Sequence, residues 1–162
     1  MHGFDTAPGR LRLPGPFSLA GSVTVQNPRY LNFSSNTGLD GSRANGKQII
    51  REPKLFLNVR PTADFTFGAT NVSLYGRYDY VGRRYTDFFN STALPAYGAF
   101  GLGGIVSNGA WQVQVVGDNI TNAHGFTEGN TAGDRFGQGV PTAIFGRPLF
   151  GRNVRLIVSR AW

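Results

Sequence analysis

With two histidines and no cysteine in 162 residues, the side-chain chemistry open to this sequence is narrow. His2 and His124 do not stand at a spacing that puts two ligands on one face, and thiolate sites are ruled out. A solvated tail and a loop position are their expected places. The nine acidic residues are dispersed, with no pair on one strand face beside groups suited to general acid and base roles. Serine and threonine are plentiful but lack a nucleophile elbow. Glu128, Asn130 and Asp134 offer oxygen ligands without the EF-hand spacing, so an exposed loop is the preferred reading. Catalysis, a metal and a cofactor are therefore not expected.

Two further motifs invite chemistry and are better explained by structure. Gly98-Ala99-Phe100-Gly101-Leu102-Gly103-Gly104 resembles a phosphate loop, but no helix signal follows to supply N-terminal amides. Glycines in a curved strand account for it. Asn32, Asn71, Asn90 and Asn119 each begin an Asn-x-Ser/Thr triplet, and two of them fall inside predicted strands, so chance is the better account. The formal charge of +7 raises nucleic acid as a partner. The arginines are scattered instead of forming a binding stripe, so none is expected.

The elements that position these residues follow from alternation with a period of two. Phe17, Leu19, Gly21, Val23 and Val25 interleave with Ser18, Ala20, Ser22, Thr24 and Gln26. Val72, Leu74, Gly76, Tyr78 and Tyr80 alternate with Ser73, Tyr75, Arg77, Asp79 and Arg83. Trp111, Val113 and Val115 alternate with Gln112 and Gln114, and Val154, Leu156, Val158 and Trp162 alternate with Arg155, Ile157 and Ser159. Lys54 to Arg60 and Tyr97 to Val106 are weaker versions. The predicted strands are residues 17–29, 53–65, 71–84, 96–106, 110–119 and 152–162, with a partial strand near 8–13.

Soluble antiparallel sheets alternate too. Connection lengths discriminate, because tight turns at Pro14-Gly15-Pro16, residues 67–70 and Ser107-Asn108-Gly109 alternate with long segments 31–51, 86–94 and 120–146. Short turns at one end and long loops at the other are the asymmetry of outer-membrane barrels. Asn108-Gly109 predicts a type I′ hairpin turn. No apolar run is long enough to span a bilayer as a helix. The N-terminus lacks a secretory signal, and the odd strand count suggests a larger barrel cut at its start.

Val72-Ser73-Leu74-Tyr75-Gly76-Arg77-Tyr78-Asp79-Tyr80-Val81-Gly82-Arg83-Arg84-Tyr85-Thr86-Asp87, then Leu94-Pro95-Ala96-Tyr97, and Val116-Gly117-Asp118-Asn119-Ile120-Thr121-Asn122 resemble the C-terminal section of TonB-dependent receptors. The final run from Gly146 to Trp162 is similar to that family's last strand with its terminal aromatic. The resemblance implies an all-β antiparallel meander, about the last third of a transmembrane barrel of about 22 strands. It would sit in the outer membrane of a Gram-negative bacterium, with the long segments outside.

The implied function is energy-coupled uptake of a siderophore, cobalamin or a carbohydrate. Lys54, Arg60, Arg77, Asp79, Arg83, Gln112, Gln114 and Arg155 become lumen-facing candidates, and Val154, Leu156, Val158 and Trp162 the signal for the barrel assembly machinery. Arg160 departs from the family, which often has an aromatic there. The implied partners are the lipid bilayer and lipopolysaccharide, a plug domain absent from this sequence, and the TonB complex acting through the missing N-terminal part. Two alternatives stay open. One is a small autonomous barrel acting as pore or adhesin. The other is a soluble β-sheet module binding polyanions or sugars through Arg43, Arg51, Arg147 and Arg152.

Overall fold

The computed structural model describes residues 4–5, 9–33, 41–132 and 143–161. Its strands are β1 (Phe4–Asp5), β2 (Gly9–Arg12), β3 (Phe17–Val25), β4 (Leu55–Phe67), β5 (Thr70–Val81), β6 (Arg84–Tyr85), β7 (Ala93–Leu94), β8 (Tyr97–Asn108), β9 (Trp111–Asp118), β10 (Phe126–Ala132), β11 (Ala143–Pro148) and β12 (Asn153–Arg160). Helix among the described residues is confined to one 3-10 turn, Gly41–Ala44.

Eight strands form one antiparallel sheet in the order β1, β3, β4, β5, β8, β9, β12, with β2 beside β1 on the same flank of β3. The expected partial strand is present as β2, Gly9–Arg12, and Phe4–Asp5 pairs with β3 as well. Among the described residues both flanking strands, β1/β2 and β12, have a neighbour on one side only, and no closure of the sheet is seen.

The turns at one end are tight. Phe67 pairs with Thr70 and Asn108 with Trp111, leaving Gly68-Ala69 and Gly109-Ala110 as two-residue connections. Only the first residue of each has positive φ, Gly68 at 59° and Gly109 at 53°. That is type II′ geometry, not the type I′ turn expected from Asn108-Gly109, because Asn108 is the last residue of its strand.

Pairing register fixes which side chains share a face. Arg77 lies opposite Gly101, Asn58 opposite Asp79, Ser18 opposite Thr62, and Val116 opposite both Gly103 and Arg155. This face is polar. The other carries Leu19, Val23, Leu57, Leu74, Leu102, Val113, Val115, Leu156 and Val158, and most of these are exposed. Among the described residues the buried apolar side chains are Ala44, Val81 and Leu94, all at the loop end. The sheet therefore has no hydrophobic core of its own, and β12 is exposed along its length.

The long connections are more ordered than the sequence suggests. The segment expected as a loop over 120–146 contains a hairpin, β10 paired with β11. Thr127, Thr131, Ile144 and Phe145 supply its β-formers, which the surrounding glycines obscure in sequence. The 86–94 loop is closed at its base by β6 and β7.

The hairpin geometry sets a first prediction. Gly109→Ala should destabilise the folded chain by about 1 kcal/mol, since an L side chain resists positive φ. Ala110→Gly should cost less. Urea unfolding in detergent micelles measures both, and equal costs would contradict the type II′ assignment.

Candidate functional site

The polar face brings together most of the charged residues singled out in the sequence. Arg60 sits opposite Ala20, Arg77 opposite Gly101, Asp79 opposite Asn58, Gln114 opposite Ile105 and Ile157, Gln112 opposite Ser107 and Ser159, and Arg155 opposite Val116. Lys54 and Arg83 lie just outside β4 and β5 and extend the same alternation to the loop end, where the Gln26 amide donates to the Lys54 carbonyl at 2.9 Å. Val154, Leu156 and Val158 stand on the apolar face, opposite Gly117, Val115 and Val113. Trp162, His2 and Asp134 lie outside the described residues.

At the centre of the polar face is an ion network. Asp118 accepts from Arg155 Nη2 at 2.7 Å and from Arg77 Nη2 at 3.3 Å. Arg77 Nε also lies 2.8 Å from Asp79 Oδ2, but its N–H is not aimed at that oxygen, so the attraction is Coulombic. Asn58 Nδ2 donates to the other Asp79 oxygen. Arg60 faces the same hollow, about 380 Å³, without a counter-charge of its own among the described residues.

This reach across strands depends on glycine. Arg77 on β5 contacts Asp118 on β9 although β8 runs between them, and Tyr75 on β5 accepts a bond from Gln114 on β9 at 3.3 Å. Both side chains lie over β8 where it has no side chain, Arg77 beside Gly101 and the Tyr75 ring over Gly103. On the apolar face Tyr78 covers Gly98 and Leu74 approaches Gly104 in the same way. The glycine run that suggests a phosphate loop is thus a strand surface over which β5 lays its side chains. A larger hollow of about 930 Å³ lies on the apolar face and has almost no polar surface, so it offers no chemistry.

Above the polar face the long connections are tied to one another. Asp87 is buried and accepts the backbone N–H groups of Phe89, Ser91 and Thr92 at 2.8 to 3.0 Å, fixing the 86–94 loop. Asn90, at φ 58°, exchanges bonds with the Gln48 backbone at 2.7 and 2.9 Å. Buried Arg84 donates to the carbonyls of Phe126 and Thr127 at 2.6 and 2.9 Å and sits against the Tyr97 ring. Arg51 bonds Asn130 across the same gap. Tyr30, Phe33 and Phe88 pack ring against ring between the first two loops.

The residues not singled out as site positions are informative. Asp118 continues the alternation of Gln112 and Gln114, so parity could have revealed it. Asn119, in one of the Asn-x-Thr triplets, is buried at φ 45° and bonds Ala123 in both directions and the Phe150 carbonyl at 2.8 to 2.9 Å. Arg84 and Gln48 had no local signal, because the bonds that tie them to other loops span 35 or more positions. Glu128 pairs with Arg147 at 3.4 Å, and no group of His, Cys, Asp or Glu suited to a metal occurs among the described residues.

This open antiparallel sheet, with one polar and one apolar face, tight turns at one end and tied loops at the other, has the fold of part of a TonB-dependent receptor barrel. The chain superposes on the ferric yersiniabactin uptake receptor FyuA from Yersinia pestis with a TM-score of 0.75 at 14% identity, covering 94% of this chain and 22% of that one. The siderophore receptor PiuA from Acinetobacter baumannii gives 0.67 at 16% identity, covering 92% and 20%. BauA, the ferric preacinetobactin receptor of the same species, gives 0.63 at 16%, covering 88% and 19%. The chain thus spans about a fifth of the length of each. No family profile and no curated protein sequence matches it.

The network predicts that Asp118→Asn, which removes the carboxylate shared by two arginines, lowers stability by about 1 kcal/mol at low salt and less at high salt. Urea melts at two ionic strengths read this out. A variant as stable as the parent at low salt would show that the network contributes nothing.

Proposed function

We propose that the chain is a segment of the wall of an outer-membrane receptor that takes up a ferric siderophore by TonB coupling. The observation that carries this reading is the division of the sheet into one polar face and one exposed apolar face over its whole width. A soluble module would cover such an apolar surface, whereas a barrel in a bilayer faces lipid with it.

The dimensions agree. On the apolar face Tyr78, Tyr80 and Phe100 form a row toward the loop end, and Phe17, Phe65, Phe67 and Trp111 a row at the turn end. From Leu57, the partner of Tyr80, the strand rises roughly 33 Å to Phe67, or roughly 25 Å along the barrel axis at a tilt of about 40°. That is the height of the apolar band of outer-membrane barrels, with aromatic girdles at its two interfaces.

In this reading Lys54, Arg60, Arg77, Asp79, Arg83, Gln112, Gln114 and Arg155 line the lumen and face a plug domain, while the tied loops lie outside beside lipopolysaccharide. Val154, Leu156, Val158 and Trp162 serve as the signal to the assembly machinery. Arg160 sits on the lipid face at the rim, its guanidinium 5.3 Å from the Trp111 ring centroid, where a long cation reaches the headgroups. Of the three nutrient classes that the sequence resemblance implies, the siderophore is favoured because the superposing receptors are named for it.

The test compares two apolar residues at mid-strand on opposite faces. In lipid vesicles, Leu102→Arg should cost about 2–4 kcal/mol of stability against urea, and Ile105→Arg about 1 kcal/mol or less. Equal costs would mean that both faces see the same medium, and the wall reading would fall.

A further inference from the structure

We propose that the loop end of the polar face holds an oxyanion-binding site, built from Arg29, Lys47 and Lys54, which takes a carboxylate or phosphate group of the molecule that the wall admits. The inference rests on the wall reading for its biological setting but on the geometry of the loops for the site itself.

The three cations line one hollow of about 260 Å³, together with Gln48, Tyr85 and Asn90, and no carboxylate is among the described residues that line it. The described acidic groups of these loops are oriented toward other partners. Asp87 holds three backbone amides of its own loop, and Glu52 accepts from Gln26 Nε2 at 3.2 Å. Neither the Lys47 nor the Lys54 ammonium has a hydrogen-bond or ion-pair partner among the described residues. Three like charges gathered around one hollow repel one another, and an anion seated among them relieves that repulsion.

The frame that carries them is rigid. Arg29 donates through Nε to Asn27 Oδ1 at 3.1 Å and through Nη1 to the Gly46 carbonyl at 2.6 Å, which aims the guanidinium and leaves Nη2 without a partner among the described residues. Backbone bonds from Tyr30 to Lys47 and from Lys47 to Ala44, both 3.0 Å, hold the Lys47 segment. Gln48 is locked to Asn90 from the neighbouring loop and donates to the Glu52 carbonyl at 2.6 Å. The Arg29 guanidinium and the main chain that carries the lysines are thus set before a ligand arrives and lose little freedom on binding.

The size selects the ligand class. The hollow is smaller than the roughly 300–1,000 Å³ of sites that enclose drug-sized molecules, so it accepts one oxyanion arm and some water, not a whole chelate. Its position selects the direction of travel. Lys54 stands six residues before Arg60 on the same face of β4, roughly 20 Å along the strand, so an anion released from the loops meets a second unneutralised cation deeper on that face.

The test titrates the full chain, folded in detergent micelles, with citrate, with inorganic phosphate and with glucose as the uncharged control, following backbone amide shifts by NMR. Saturable shifts at Lys47, Gln48 and Asn90 are expected with at least one anion and not with glucose. Tighter citrate binding assigns a carboxylate arm, and tighter phosphate binding a phosphoryl group. Lys47→Gln with Lys54→Gln should weaken binding about tenfold, while Arg12→Gln, which removes one charge at the opposite end, should not. Both lysines are exposed, so the double variant keeps its fold.

Absence of binding by either anion, or equal weakening by Arg12→Gln, would overturn the site. Flotation with lipid vesicles separates this inference from the wall reading. A chain that binds citrate but stays out of vesicles keeps the site and loses the wall, and one that floats but binds neither anion does the reverse.

Discussion

The ladder of backbone hydrogen bonds between neighbouring strands is what the whole structure depends on. A domain of this length ordinarily folds around a packed interior, yet here the buried apolar residues among those described are three, and all lie beside the loops. Main-chain pairing and side-chain contacts along each face must therefore supply cohesion, and they leave two large surfaces and two strand edges for other matter to cover. Lipid on one face, water and protein on the other, and further strands at the edges complete the arrangement in the proposed receptor. Pairing runs through the middle of the sheet with one interruption between β4 and β5, at Arg60 and Pro61, and main-chain pairing of this kind is the condition for placing strands in hydrocarbon.

Within that ladder, β8 has a special part. Its glycines remove side chains from the middle of the sheet, and β5 fills the space on both faces, with Tyr75 and Arg77 on one and Leu74 and Tyr78 on the other. The polar network can then link β5 to β9 over an intervening strand. A valine at Gly101 would separate Arg77 from Asp118, so the electrostatics of the polar face rest on the absence of a few methyl groups.

Much of this was legible in the sequence because period-two alternation is a local property. Arg77, Asp79, Gln112, Gln114 and Arg155 share a face by parity alone, and strict antiparallel pairing preserves that parity from strand to strand. The alternation of short and long connections likewise survives translation into three dimensions. What was not legible depends on partners far along the chain. The β10–β11 hairpin is hidden by glycine-rich flanks, and the turn after β8 shifts by one residue because the ladder extends through Asn108. The cationic hollow joins residues from loops that only the folded sheet brings together.

Arg84 grips the β10–β11 hairpin only through the carbonyls of Phe126 and Thr127. Carbonyls are common to every amino acid, so this attachment imposes almost no demand on which side chains the hairpin carries. The demands on hairpin sequence fall elsewhere, on Asn130, which bonds Arg51, and on Gly129, where a Cβ would meet Thr86 and Leu94. A clasp that reads main chain thus leaves the remaining hairpin positions free to vary while the loops beneath keep their places.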